Sequence, residues 1–348
     1  MSDRGAERRI TIRNNHGENL VGILHNSASV SLVIVCHGFQ SSKERIPMVN
    51  LADALEKDGI SAFRFDFAGN GSDYTNKRDK KKSSMELSCL IPQQIPVSMY
   101  WKIRGGCGGK GKPNLFNLLC QRKLLKDCTL PSAIVNYTFK VTLGCTVESE
   151  GSFQYGNYYR EVEDLRAVVQ HFREQKYVIT AIVGHSKGGN VALFYASKYK
   201  DIHIVVNISG RFNLVRGMEG RLGKRFIQKI KQDGYIDVKN KRGKIMYRVT
   251  EESLMDRLST ITHLDCLLIP QDCRVLTIHG SMDETVPAED ALDFDKFIYN
   301  HELCIIEGAD HEFSSHQDKL SSLVLEFIKT HADKDKDTSK QAKIHSRL

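Results

Sequence analysis

The run Gly184-His185-Ser186-Lys187-Gly188, followed at once by Gly189, constrains this chain more than any other stretch, because small residues flank a serine between a strand and a helix. Tyr177 to Val183 (YVITAIV) reads as a short β-branched apolar strand and Asn190 to Tyr199 (NVALFYASKY) as a helix, so Ser186 falls on the sharp turn between them. Glycines at 184 and 188 leave room that a Cβ would obstruct. Such a turn lifts Ser186 Oγ above the edge of a sheet and points the backbone N–H of Lys187, at the start of the helix, toward a developing oxyanion. A lone match of this kind reads equally well as a glycine-softened turn with a capping serine. The strand before it, the helix after it and the partners downstream point to a nucleophile.

The surrounding pattern supplies the sheet. Arg9 to Arg13 and Asn19 to His25 read as a hairpin across Asn14-Asn15-His16-Gly17. Ser31 to Cys36 (SLVIVC) is a continuous apolar strand, Pro47 to Lys57 is helical with Met48, Leu51, Ala52 and Leu55 on one face, and Ile60 to Phe67 is a strand again. Strand, helix and strand in this order imply a parallel sheet. After a long interruption come a helix (Tyr158 to Glu174), the strand leading to Ser186, and strands near His203 to Ile208, Arg274 to His279 and Glu302 to Glu307, about eight in all. Residues 211 to 263 break the alternation with a charged, mostly helical stretch, including Arg221 to Lys231 and Glu251 to Ser259, placed where a cap inserts. Beyond Thr330, residues 331 to 348 lack apolar content and read as a disordered tail.

A serine nucleophile needs a base within hydrogen-bond reach and an acid that orients the base. Both follow in order. Strand Arg274 to His279 ends in Gly280-Ser281-Met282-Asp283, and strand Glu302 to Glu307 ends in Gly308-Ala309-Asp310-His311, so Asp283 and His311 sit in loops at the carboxyl ends of strands. Asp283 also suits a cap of the helix Ala288 to Ile298, Asp310 is a competing carboxylate, and His279 and His185 are competing bases. Spacing decides among them: His185 adjoins the nucleophile and points away from it, and a carboxylate next to His311 does not readily orient that same ring. The second oxyanion donor is expected from the loop after the first parallel strand, His37-Gly38-Phe39-Gln40, where the Phe39 N–H pairs with that of Lys187.

At these residues the sequence resembles α/β-hydrolase fold serine hydrolases, closest to the cinnamoyl/feruloyl esterase-like and monoacylglycerol lipase-like group that also carries the serine aminopeptidase label. The resemblance rests on His37-Gly38-Phe39, Arg64 to Gly71 (RFDFAGNG), Gly184 to Gly189, His279 to Asp283 and Glu307 to His311, and it covers residues 8 to 71 and 148 to 330. It implies one α/β-hydrolase domain over 8 to 330, Ser186, Asp283 and His311 as the triad, Phe39 and Lys187 as oxyanion donors, and neither cofactor nor metal. The implied chemistry is hydrolysis of a small-molecule carboxylic ester through an acyl-enzyme, with a thioesterase, acyltransferase or peptidase using the same parts. A non-catalytic small-ligand receptor or pseudoenzyme on the same fold is the contrasting reading.

One segment departs from the pattern. Joining Gly71 to Glu148 restores the relatives' strand-to-helix connection with Ser149 in place, so residues 72 to 147 are an insertion. It holds the only tryptophan, Trp101, and 13 Lys plus Arg against 4 Asp plus Glu, more than the whole formal charge of +8. The remainder is close to neutral and carries no recognition motif, which argues against nucleic acid as a partner. The insertion reads as translated intervening sequence or an unstructured loop, with a basic accessory domain as the functional alternative. The chain has no apolar leader and no run of 18 apolar residues, so the expectation is a soluble protein without a membrane span and with reduced cysteines. Its compartment is expected to be the cytosol, or the peroxisome through Ser346-Arg347-Leu348, a variant of a C-terminal S-K-L address. Oligomeric state is not legible.

Overall fold

The computed structural model describes residues 7–70, 84–89, 101–103, 137–142 and 149–345, with side chains to residue 332 outside the three short strands near the middle of the chain. Ser346, Arg347 and Leu348 lie outside the described residues. The backbone divides into two units, Met1–Thr75 with Thr146–Leu348, and Asn76–Cys145.

In the larger unit, β1 (Arg8–Arg13), β2 (Asn19–His25) and β3 (Ser31–Cys36) lead into α1 (Ile46–Lys57) and β4 (Ser61–Phe65). The apolar run of β3 is buried on both faces from Leu32 to Cys36, as a strand covered by helices on both sides must be. Pro47 lies in the first turn of α1, where its missing N–H costs nothing, and the helix buries the face carrying Met48, Leu51, Ala52 and Leu55. In the smaller unit, β5 (Ser84–Cys89) pairs antiparallel with β6 (Trp101–Ile103) and with β7 (Tyr137–Thr142). The segment expected to be an insertion therefore holds a three-stranded sheet where an unstructured loop is one expectation.

The larger unit resumes with α2 (Tyr158–Glu174), β8 (Val178–His185), α3 (Lys187–Tyr199) and β9 (Ile204–Ile208). The segment expected to form a cap follows: α4 (Met218–Leu222), α5 (Phe226–Asp233), β10 (Tyr235–Lys239), β11 (Ile245–Thr250), α6 (Glu251–Ser259) and α7 (Thr262–Leu268). The chain closes with β12 (Arg274–Gly280), α8 (Glu289–Phe297), β13 (His301–Ile306) and α9 (Gln317–His345). Eight strands form the main sheet in the order β1-β2-β4-β3-β8-β9-β12-β13. The pairs β1/β2 and β2/β4 are antiparallel, and every pair from β4/β3 onward is parallel.

One core packs α2 and α3 against the sheet through Leu165, Val168, Phe172, Leu193 and Phe194. The other packs α1 and α9 against the opposite face through Leu51, Leu55, Leu320, Val324 and Phe327. A third cluster, with Phe153, Tyr155, Phe226, Ile230, Tyr247 and Leu254, gives the segment between β9 and β12 its own apolar centre.

Two local differences from the sequence reading have simple causes. Residues 211 to 263 contain helices but also the β10/β11 hairpin, turned through Asn240 to Gly243 with Gly243 at φ 77°. The short alternation on either side of that glycine turn is the missed signal. The last helix runs to His345, past the expected boundary at Thr330. Low apolar content speaks against burial, whereas a stretch without Gly or Pro remains free to continue a helix.

Candidate active site

Strand β8 and helix α3 leave a single residue, Ser186, between them, and it carries the strain of the turn: φ 55°, ψ −122°. The flanking glycines permit this through close packing. A Cβ on Gly184 would lie 2.1 Å from Gly188 O, and one on Gly188 would lie 2.5 Å from the carbonyl oxygens of Cys36 and His37. A non-glycine residue outside the common backbone regions costs about 1–3 kcal/mol, which the surrounding packing must offset. Such strain is informative at a position where a side chain has to project from a sheet edge.

Three loops at the carboxyl ends of parallel strands bring Ser186, His311 and Asp283 together. His311 Nε2 lies 3.1 Å from Ser186 Oγ, and His311 Nδ1 lies 2.7 Å from Asp283 Oδ2. The Asp283 carboxylate is fully buried, and Oδ1 accepts the backbone N–H groups of Thr285 and Val286. Burial by itself raises its pKa, but hydrogen bonds from His279 and His311, the adjacent His311 charge and the Val286 N–H hold it far below the usual carboxylate range. Asp283 therefore stays ionised as the acceptor facing His311 Nδ1, while His311 Nε2 faces the serine hydroxyl.

The two histidines that compete in sequence support this chain of bonds. His185 Nε2 donates to the backbone carbonyl of His311 at 2.8 Å. Burial, together with the neighbouring His311, pushes the His185 pKa down to about 4, so near neutral pH its ring is an uncharged donor that fixes the His311 loop. His279 Nε2 donates to Val286 O at 2.9 Å and lies 3.3 Å from Asp283 Oδ2, bracing the acid. Asp310 instead accepts the Ser314 N–H at 2.8 Å.

The loop after β3 is held by His37. The Phe67 N–H donates to His37 Nε2 at 3.1 Å, so the Nδ1–H donates to Gly38 O at 2.8 Å. Burial lowers the His37 pKa despite the charge of Asp66, consistent with that neutral tautomer. No acceptor is bonded to the backbone N–H of Phe39 or of Lys187 among the described residues. The Phe39 ring packs edge-on against Phe153, Tyr155 and Tyr247 of the third apolar cluster, at 5.0, 5.8 and 5.4 Å.

Lys187 turns its side chain inward. Nζ lies 2.8 Å from Glu161 Oε1, each side chain is 2% exposed, and the ammonium stands 4.9 Å over the Tyr158 ring. Neither Glu161 nor this ion pair is visible as a motif, because Glu161 reads as an ordinary first-turn acid of α2. A cavity of about 220 Å³ opens over Ser186 and His311, and Phe39, Tyr158, Arg211 and Arg257 form part of its wall. Phe39 is expected at the site from the sequence, whereas Tyr158, Arg211 and Arg257 carry no motif that would place them there.

One cluster outside the site, Glu7, His25 and Asp53, has the donor types of a metal site. Arg64 already occupies it, donating Nε–H to His25 Nε2 at 2.9 Å and pairing with Glu7 at 3.2 Å. Among the described residues, no helix is long and apolar enough to cross a membrane.

The parallel crossovers, the strained serine between β8 and α3, and His311 and Asp283 bonded in series to it from later loops define a serine hydrolase of the α/β-hydrolase fold. A model of the prolyl oligopeptidase family matches residues 132–335, more than half of the chain, and the chain belongs to that family. Solved structures share the fold at low identity. The esterase Est1E from Butyrivibrio proteoclasticus, with ferulic acid bound, matches at TM-score 0.62 and 18% identity over 92% of this chain and 98% of its own. The α/β hydrolase GrgF from Penicillium sp. sh18 matches at TM-score 0.62 and 16% identity over 94% of this chain and 100% of its own. The esterase Pf2001 from Pyrococcus furiosus matches at TM-score 0.54 and 17% identity over 93% of this chain and 90% of its own. Comparison with curated proteins gives no match.

Proposed function

We propose that the protein hydrolyses a carboxylic ester of a small molecule through an acyl-enzyme at Ser186. The observation that carries this reading is the bonded series Asp283–His311–Ser186 beneath a cavity open to a ligand. As Ser186 Oγ attacks the ester carbonyl, His311 Nε2 takes its proton, and Asp283 stabilises the imidazolium that forms. The negative charge on the former carbonyl oxygen is received by the N–H groups of Phe39 and Lys187, each such donor being worth about 3 kcal/mol in the transition state. His311 then returns the proton to the departing alcohol, and a water molecule, deprotonated by His311, releases the acid and restores Ser186. The esterases among the structural neighbours are in keeping with this choice of bond.

Family membership favours a second reading, in which the bond cleaved is an amide. The two share every step except the leaving group. A fluorophosphonate probe tests the nucleophile: labelling of the wild-type protein that is lost in Ser186→Ala supports the mechanism, and a folded protein that is not labelled overturns it. p-Nitrophenyl esters compared with peptidyl p-nitroanilides then separate the two bonds. Turnover confined to the anilides would replace the ester by an amide.

A further inference from the structure

The cavity above Ser186 is lined with cations that the catalytic steps do not use. Arg211, Arg221 and Arg257 all contribute to it, and the same three continue into an adjoining cavity of about 400 Å³ beneath the cap. Among the described residues none of the three has a carboxylate within ion-pair distance, whereas nearby Lys187 is matched to Glu161 and Arg216 to Asp290. Arg257, although buried, is bonded only to neutral groups: Nε–H to Leu214 O at 3.0 Å and an Nη1 hydrogen to the Tyr158 hydroxyl at 2.7 Å. Among the described residues no bond takes up its Nη2. Arg211 is fixed in the same manner, donating to the carbonyl oxygens of Arg216 and Thr285. Arg221 stands 5.7 Å over the Phe39 ring, on the residue whose N–H faces the reacting carbonyl in the proposed mechanism.

Arg211 and Arg257 are therefore held in place but not neutralised. Burial lowers the pKa of Arg211, and Arg257 and Arg221 add to the effect against the opposing charge of Asp290, which is the mutual repulsion expected of cations gathered around one space. Two carboxylates also reach these cavities. Glu312 is paired with Arg45 at 3.1 Å, and Glu284 lines only the adjoining cavity. A desolvated guanidinium without a counter-ion is costly, and the cost falls when a ligand supplies the anion. Guanidinium groups fixed by their own hydrogen bonds also recognise a carboxylate with little loss of conformational freedom.

We infer that the substrate carries a negatively charged group, a carboxylate in its simplest form, which Arg211, Arg221 and Arg257 hold beneath the cap while Ser186 attacks the ester carbonyl. The inference rests on the ester-hydrolase reading and narrows it to anionic esters. The anion sits on either the acyl or the alcohol side of the bond, and substrate pairs distinguish the two. Mono(p-nitrophenyl) adipate against p-nitrophenyl hexanoate tests the acyl side, and 4-acetoxybenzoate against its methyl ester tests the alcohol side.

For one of these pairs kcat/KM is expected to favour the anionic ester by roughly ten- to a hundredfold, as for charge-assisted hydrogen bonds. Arg221→Gln should lower that ratio several-fold and Arg211→Gln about tenfold. Arg221 is exposed, so its variant carries the test if Arg211→Gln fails to fold. Protection of Ser186 from a fluorophosphonate by adipate, but not by adipamide, provides a measurement without turnover. Ratios near one for both pairs, or a preference unchanged in both variants, overturn the anionic-substrate inference while leaving the hydrolase intact. Failure of all four esters, with no labelling of Ser186, overturns the hydrolase reading itself.

Discussion

Replacing Glu161 by Gln leaves the Lys187 ammonium buried beside the nucleophile without its counter-ion. The pair is 2.8 Å apart with both side chains 2% exposed, and Asn70 Nδ2 adds a 2.6 Å bond to the same Glu161 oxygen. Breaking one side of such a pair costs about 3–5 kcal/mol, a large part of the ~5–15 kcal/mol that holds a domain folded. Urea unfolding near neutral pH, followed by far-UV circular dichroism, should register that loss. Its pH dependence identifies the cause. Burial already lowers the Lys187 pKa in the folded protein despite the opposing effect of Glu161, and removing the carboxylate lowers it further. The unfolded lysine titrates near about 10.4. Between the two values the unfolded chain binds more protons, so stability of the variant rises with pH and the deficit relative to wild type shrinks toward pH 10. Glu161→Leu with Lys187→Met, which removes both charges, should recover most of the loss. A deficit below about 1 kcal/mol, or one that does not change with pH, would refute the claim that the pair is a buried and mutually dependent unit.

Further expectations follow from single contacts. Asp283→Asn should lower kcat on a p-nitrophenyl ester by about 10³–10⁴-fold, because an amide does not hold His311 in the tautomer that accepts the serine proton. The depressed Asp283 pKa contributes stability above the unfolded value of about 3.9, and this is lost as pH falls through the folded value; the gap in urea stability between wild type and Asp283→Asn should therefore close with acidification below about pH 4. Gly184→Ala, with its Cβ forced against Gly188 O, should cost about 1–3 kcal/mol in thermal unfolding and abolish fluorophosphonate labelling by displacing Ser186. Deleting residues 72–147 should leave a folded and active hydrolase, because Ser149 Oγ bonds Asp66 O at 2.8 Å and Gly69 N–H bonds Glu150 O at 2.9 Å, bringing the two sides of the insertion together; an insoluble or inactive product would show that the insertion is needed. A fluorescent fusion that keeps Ser346-Arg347-Leu348 as its free end should be punctate in cells and diffuse once they are removed.

Much of the architecture was legible because it depends on local patterns. An apolar β-branched run such as Ser31–Cys36 has few alternatives to a buried strand, and α2 repeats its apolar face through Val162, Leu165, Val169 and Phe172. The β10/β11 hairpin escaped notice because its alternation is short and its exposed face carries lysine and arginine, which look like the surface of a helix. Ser186, Asp283 and His311 stood out because each follows a strand at a turn of recognisable composition. Their supports did not: His185, His279 and Glu161 act through bonds to residues between 4 and 126 positions away, and spacing along the chain does not encode those pairings.

Chain order alone therefore determined that a serine would stand between a strand and a helix, with an acid and a base on later strand ends, since a strained turn and a parallel sheet are written in short-range periodicity and glycine placement. Only the tertiary structure decided how His185 and His279 brace the loops, that Asp283 stays ionised, and that three arginines with no carboxylate in ion-pair distance among the described residues line the cavity. Those outcomes depend on burial and on distances between side chains remote in sequence, and electrostatic energies inside a protein change steeply with both.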